Sequence, residues 1–479
     1  MNPPMSLRRI VGLLVCVEVA SGFLQGFYVP IYTDIARHLG IHDADVNWFE
    51  AAQLILSALV VPPLARLGDL WGHKNVLLLA TAVTAIGTWG LVLAPGFGTF
   101  LAAFALAGAY VVWLPLEIAI VHRRSGADDG RTRRGAAVLV GALELSVIVS
   151  ALASGALVGA VPIQVALCVP AVVVTACFAV IRFGIEDLPP TSTGGLDWAG
   201  TAVLTALLAL VMGGLVVVRV SGPGSVLAWL LVAAGLAMVV PFWRVESAQA
   251  EPVVDVRLLV SREQWPIQLT AALIGMSVLG AQIPLSTYAR TDPGVAGYGL
   301  GASAAFVSNL IGFYVVFSAI GAFGLLPLAR RLGERGGMAL ACLLVAVGYA
   351  AWLPWHAHTW QAVANMAVVG LGTGALVASL PAAAAAAAPA ERTAFATGMT
   401  NATKTVGGSV ASAIFAIALA STGSIADPVH GHAPLSGYMA VWAICAVAAL
   451  LAGVCLVGVG RRRSALDLVG ELDPAAGGQ

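Results

Sequence analysis

Long, uniformly apolar runs separated by short clusters of charge set the pattern of this chain. The runs LILSALVVPPLA (54–65) and NVLLLATAVTAIGTWGLVLA (75–94) hold no charge, whereas the nine residues between them, RLGDLWGHK, hold two cations, an acid and a histidine. The runs lack the apolar–polar alternation of barrel strands, so each predicts a helix. A bilayer core takes about 20 helical residues. On that ruler the spans fall near 10–32, 46–65, 76–94, 99–121, 135–158, 162–181 and 199–219. The rest fall near 225–242, 266–287, 302–326, 338–353, 360–387, 394–420 and 436–459, fourteen in all.

Charge tests that count. With a cytoplasmic N-terminus, alternate loops of a fourteen-span chain lie inside, where Arg and Lys should gather. All but four of the 24 Arg and Lys fall there, the exceptions being Arg37, Arg219, Arg290 and Lys404. Both ends are therefore expected in the cytoplasm. The two longest inside loops are 122–134 and 243–265, and the second reads as a junction. The tail after Arg463 reads as short and disordered.

Composition agrees. The chain is 59% hydrophobic and 10% charged, against about 25% charged in soluble domains. Equal numbers of acids and bases give no reason to expect nucleic acid as a partner. Lysine occurs only at Lys74 and Lys404, which excludes a phosphate-gripping GxxxxGK[ST] loop. The six cysteines sit in apolar runs without CxxC spacing and read as buried hydrophobes. The eight histidines sit at helix ends or in loops, with no HExxH or GxSxG. His430 and His432 share one outer loop and read as solvated. No enzyme activity, metal or cofactor is expected.

The turn Ala65-Arg66-Leu67-Gly68-Asp69-Leu70-Trp71-Gly72-His73-Lys74 carries more than inside-loop charge. Gly68 and Gly72 allow a sharp reversal, and Asp69 stands where it can meet helix-terminal amides. The stretch resembles the loop signature of the major facilitator superfamily, roughly G-x-L-a-D-r-x-G-r-k: Leu67, Asp69, Gly72 and Lys74 match, and Ala65, Leu70 and His73 depart from it. A weaker copy lies 261 residues on, at Leu328-Ala329-Arg330-Arg331-Leu332-Gly333-Glu334-Arg335, and repeated halves are how such transporters are built. GGLDWAGTAVLTALLALVMGGL (194–215) and PAERTAFATGMTNATKTVGGSVASA (389–413) resemble the fourteen-helix, drug:proton antiporter branch. The resemblance implies an all-α integral membrane protein with two six-helix bundles, residues 1–181 and 266–463. Between them lie two added helices and a cytoplasmic linker (182–265), and residues 464–479 form a tail. It also implies a conformational latch at Arg66, Gly68, Asp69, Gly72 and Lys74, the alternative being a plain structural turn.

Charges within the spans narrow the chemistry, because each costs at least about 2.5–3.5 kcal/mol at mid-bilayer on insertion scales. Glu18 lies about 13 Å past Arg9, Glu144 about 15 Å past Arg134, Lys404 about 18 Å past Arg392 and Glu117 about 9 Å before Arg123. Relatives often place an acid nine residues before the first-helix proline. Here that position is Ser21, and Glu18 sits one turn earlier on nearly the same face. Glu18 is expected to face the central cavity as a proton or cation site. Glu117 reads equally as a structural group near the helix end. Around Glu144, Gly141, Gly155 and Gly159 remain of the branch's fifth-helix signature, but no proline does. The fourth-helix arginine and glutamine fall on Phe104 and Ala107. Lys404 stands where relatives often have a base, and it either pairs with Glu18 or Glu144 or caps contacts near the inner gate. Gln25, Gln53, Asn309 and Asn401 are candidate polar contacts in a mostly apolar cavity.

These readings describe a secondary transporter that exports small, apolar or cationic, drug-like compounds in exchange for protons by alternating access. Burial disfavours the charged carboxylate, so proton uptake and release can drive the cycle. The alternatives are a proton-coupled symporter, a dedicated exporter of one metabolite or lipid, and, from another class, a membrane enzyme or flippase. The setting expected is a bacterial plasma membrane, with the protein a monomer in the bilayer and a small-molecule substrate and protons as its partners.

Overall fold

The computed structural model describes residues 6–126, 128–187, 190, 197–249, 252, 254–324, 331–389, 392–420 and 432–472. Among them no strand forms, and fourteen helices are long and apolar enough to cross a membrane. They match the predicted spans one for one, from Leu7–Leu39 to Leu435–Gly458. Helices are what such runs must form, since lipid offers no partner to an open backbone amide. The tail departs from expectation, because the last helix continues through it to Leu472.

Four spans are interrupted, the first, fourth, eighth and ninth. In the first, α1 (Leu7–Gly26) gives way to a 3₁₀ turn at Val29–Ile31 and then to α2 (Tyr32–Leu39). Pro30 lies in that turn and has no amide to continue the ladder. After α3 (Asn47–Trp71) and α4 (His73–Leu93), the fourth span is α5 (Phe97–Ala107), a 3₁₀ segment at Gly108–Val112 and α6 (Trp113–Arg124). Next come α7 (Asp129–Leu157), α8 (Ile163–Gly184), α9 (Trp198–Ser221), α10 (Val226–Ala237) and α11 (Val239–Ala248). A short α12 (Val256–Leu259) leads to the ninth span, where a π-turn at Met276–Gly280 separates α13 (Trp265–Gly275) from α14 (Gln282–Arg290). The chain ends with α15 (Pro293–Ala296), α16 (Ala304–Gly324), α17 (Glu334–Ala351), α18 (Thr359–Ala386), α19 (Thr393–Leu419) and α20 (Leu435–Leu472).

The chain forms two compact units that do not follow the sequence halves. The first comprises Met1–Asp255, Leu279–Gly312 and Ser409–Tyr438, and the second Val256–Val278, Phe313–Gly408 and Met439–Gln479. In the first, α1 lies hard against α7: a Cβ on Gly22 would stand 1.8 Å from Ser146 Oγ, and one on Gly26 would stand 2.2 Å from the Val147 carbonyl oxygen. Small residues permit that approach, and Ser150 Oγ donates to the Gly22 carbonyl at 3.1 Å. Gly155 is equally close to α16, through Ser308. Gly159, in contrast, has φ +88° and open space around it, so it serves a turn and not a packing face. In the second unit, Gly275 backs onto the Lys404 carbonyl and Gly374 onto that of Ser318. Gln264 Nε2 donates to the Ala384 carbonyl at 2.6 Å.

Candidate functional site

Glu18, midway along α1, and Glu117, at the start of α6, meet inside the first unit. Both are 0% exposed. Their carboxyl groups interact with each other, yet none of the four oxygens makes a hydrogen bond of ordinary geometry. Among the described residues neither acid has a salt-bridge partner. The α1–α7 seam fixes Glu18 in place, with Ser146 Oγ donating to its backbone carbonyl at 3.4 Å. The buried thiol of Cys177, on α8, lies within electrostatic reach of both acids. Glu18 was expected at the central cavity as a proton or cation site; it is buried beside a second acid.

A second polar group lies further along the same unit. Tyr32 Oη donates to Glu50 Oε2 at 3.2 Å, and Gln53 Nε2 donates to Tyr110 Oη at 3.3 Å. Glu50 and Gln53 are three residues apart on α3 and therefore share a face. Tyr110 sits in the 3₁₀ break of the fourth span, with its ring edge-on to Trp113 at 6.0 Å. Gly108 lets this break come close, since a Cβ there would stand 2.7 Å from Gln53 Cγ. Sequence reasoning placed Gln53 in a substrate cavity; it is buried and holds a tyrosine. It passed over Glu50, Tyr32 and Tyr110, though an acid and an amide at helical spacing on one span are a readable signal.

The other candidates scatter. Glu144 is exposed on α7, two residues before the serine that packs on α1. Gln25 is exposed and bonded to Ser21 Oγ at 3.3 Å. Asn309 on α16 and Asn401 on α19 are exposed, and Lys404 is half-buried. Gly72, with φ +94°, is the whole of the turn between α3 and α4. Asp69 thus lies in the last turn of α3, not ahead of α4, and meets His73 Nε2 at 3.4 Å. Gly68 is pressed against Leu116, and Arg66 is half-buried. Lys74 is buried and its Nζ lies 3.0 Å from Asp187 Oδ1, just past α8. In the weaker motif copy, residues 328–330 lie outside the described residues, as does His430. Gly333 precedes α17 with φ +74°, as Gly72 precedes α4, and the two are 261 positions apart.

Fourteen helices long and apolar enough to cross a membrane, four of them broken, and a buried pair of acids in the first unit describe a polytopic membrane protein. The sequence pattern of the Major Facilitator Superfamily matches residues 14–252 and 267–472, and the chain belongs to that family. Its members and the relatives found are transporters, not enzymes. The uridine/deoxyuridine transporter of Lactococcus lactis subsp. cremoris (strain MG1363) is 26% identical over 354 residues, 72% of each chain. An uncharacterized MFS-type transporter of Mycobacterium tuberculosis is 27% identical over 267 residues, 55% of this chain and 45% of its own length. Among solved structures, a POT peptide transporter in complex with sulfate superimposes with TM-score 0.68 at 17% identity, covering 95% of this chain and 94% of that one. The nucleoside transporter NupG gives 0.63 at 13%, covering 95% and 99%. These two likenesses concern the fold alone.

Proposed function

We propose that this protein is a proton-coupled carrier of a small polar metabolite, with a nucleoside as the first candidate, working by alternating access in a bacterial plasma membrane. The observation that carries the coupling is the Glu18–Glu117 pair. Two like charges buried together repel strongly, and a shared proton is the simplest neutraliser. The substrate class rests on the uridine/deoxyuridine relative, which covers most of the chain. On this reading the cytoplasmic side carries both termini and the Gly72 turn, because Arg and Lys gather there, and Asp69 and Lys74 stiffen that turn as a latch. Glu144 and Lys404 have secondary parts.

Drug:proton export remains the second reading, supported by the motif at 65–74 and the fourteen-span count. Purified protein in vesicles with an imposed pH gradient separates them. Uridine accumulation that follows an inward proton gradient supports the metabolite carrier. Proton-driven efflux of cationic dyes, with uridine ignored, supports export, and uridine movement indifferent to the gradient removes the coupling.

A further inference from the structure

The enclosed acid pair raises a question of access, since at 0% exposure neither Glu18 nor Glu117 meets water directly. Glu50, by contrast, is half-buried. Three buried tyrosines lie on the spans that carry the pair, Tyr28 and Tyr32 ten and fourteen residues past Glu18 and Tyr110 seven before Glu117. Tyr32 is bonded to Glu50, and Tyr28 and Tyr110 lie within electrostatic reach of Tyr32 and of each other. Tyr110 is within such reach of both Glu50 and Glu18. Tyr28 Oη is buried with no hydrogen-bond partner among the described residues. Tyr110 Oη accepts from Gln53, which leaves its own hydrogen to be given elsewhere.

These groups form a file along the first unit. Spans two and four run in the same direction, so their starts share one side. Glu50 lies seven residues from the start of span two at Asp43, and Glu117 seven from the end of span four at Arg124. Each acid is thus about 10 Å from its own, opposite, end at 1.5 Å per residue. Glu18, eleven residues from Leu7, is about 16 Å in from the Arg124 side.

We infer that Glu50 is a second proton-binding carboxyl group, the intake for a relay through Tyr32, Tyr28 and Tyr110 to the Glu18–Glu117 pair. The step is a concerted hop. Protonated Glu50 gives its proton to the Tyr32 oxygen, each hydroxyl in turn releases its own proton to the next, and the last gives one to the Glu18 carboxylate. Every hydroxyl is regenerated, Glu50 is left ionised, Glu18 becomes neutral, and no redox partner is needed. Among the described residues, Tyr32 and Tyr110 are the titratable groups placed against Glu50, and Arg219, on the neighbouring α9, is paired with Asp45. Gln53 is a positioning residue for Tyr110. The inference rests on the proton-coupled reading, because a relay needs the pair as its acceptor.

Infrared spectroscopy of the full-length protein in detergent tests it without any substrate. Glu18→Gln identifies the protonated-carboxyl band of the pair, and Glu50→Gln identifies that of Glu50. After an acid pH jump, the pair band should rise at least about tenfold more slowly in Tyr110→Phe and Glu50→Gln than in the unaltered protein, with the same final amplitude, as befits loss of a positioned proton donor. A purely structural role would change the amplitude or the melting temperature and leave the rate alone. Tyr110→Phe keeps the ring packing, so it decides the matter should Glu50→Gln not fold. A pair band rising at the unaltered rate in the variants, or no band assignable to Glu50, overturns the relay while leaving the coupling reading intact. A pair that shows no protonation band under any condition overturns the coupling reading, and the relay with it.

Discussion

Arg219 on α9 grips Asp45 at the start of the second span with two parallel bonds, Nε to Oδ1 at 3.0 Å and Nη2 to Oδ2 at 2.9 Å. The side chains are 2% and 0% exposed. Within the first unit the pair ties the added seventh span to the start of the second, and α9 also packs Met212 and Leu215 on an apolar contact of Trp48, Ala51, Ala413 and Ala416. Removing one partner strands a buried charge, which costs about 3–5 kcal/mol. Arg219→Met should therefore lower the melting temperature sharply, and Asp45→Leu combined with Arg219→Met should recover most of the loss. Melting curves of the single and double variants in detergent check this; a single variant as stable as the parent would show that the pair carries no such load.

The α1–α7 seam makes a steric prediction. Gly26→Ala places a methyl carbon 2.2 Å from a backbone oxygen that cannot rotate away, whereas Gly141→Ala on α7 meets nothing within 4 Å. Overpacking of this kind costs about 1–3 kcal/mol or more. Gly26→Ala should lose folded protein in the membrane fraction and Gly141→Ala should not. Yield and monodispersity of the two variants side by side provide the measurement.

The spans were legible because every backbone amide in lipid must be bonded within its own helix, so length and hydropathy alone locate them. Gly72 was legible for a similarly local reason, since only a turn residue separates two spans so abruptly. The site was legible in part. Glu18 and Glu117 stood out as charges in apolar runs, but their meeting depends on how α1, α6 and α7 pack, and no spacing along the chain encodes that. Glu50 and Asp45 were lost to the opposite error: each lies close to a span end, where a charge is expected to reach water. Arg219, one of the four cations outside the inside loops, is only 6% exposed.

A pH dependence follows at the loop before α20. His432 Nδ1 lies 3.0 Å from Asp43 Oδ2, and that hydrogen bond lifts the imidazole above its usual value. A base lifted on folding stabilises fully below its unfolded value and loses the contribution as pH rises through the folded one. The contact should thus hold in acid and release in alkali. His432→Gln should lower the melting temperature more at about pH 5.5 than at about pH 8.5, because the imidazole gives up its proton as pH rises. Equal effects at both pH values would mean that the contact is steric, not ionic.

The acid pair itself makes the sharpest demand, because stability and transport should move in different directions. Glu18→Gln removes one of two mutually repelling acids and supplies an amide with two N–H donors for Glu117. The variant should fold and melt at or above the temperature of the unaltered protein. It should also lose the dependence of uridine uptake on an imposed proton gradient, since the site no longer exchanges a proton. Glu18→Leu removes the repulsion without supplying a donor and leaves the Glu117 oxygens still unbonded, so it should be the less stable of the two. Parallel melting curves and uptake at several imposed gradients test both halves. Were Glu18→Gln to unfold while Glu18→Leu stayed intact, the pocket would be an ordinary packing site and its carboxyl groups incidental to transport.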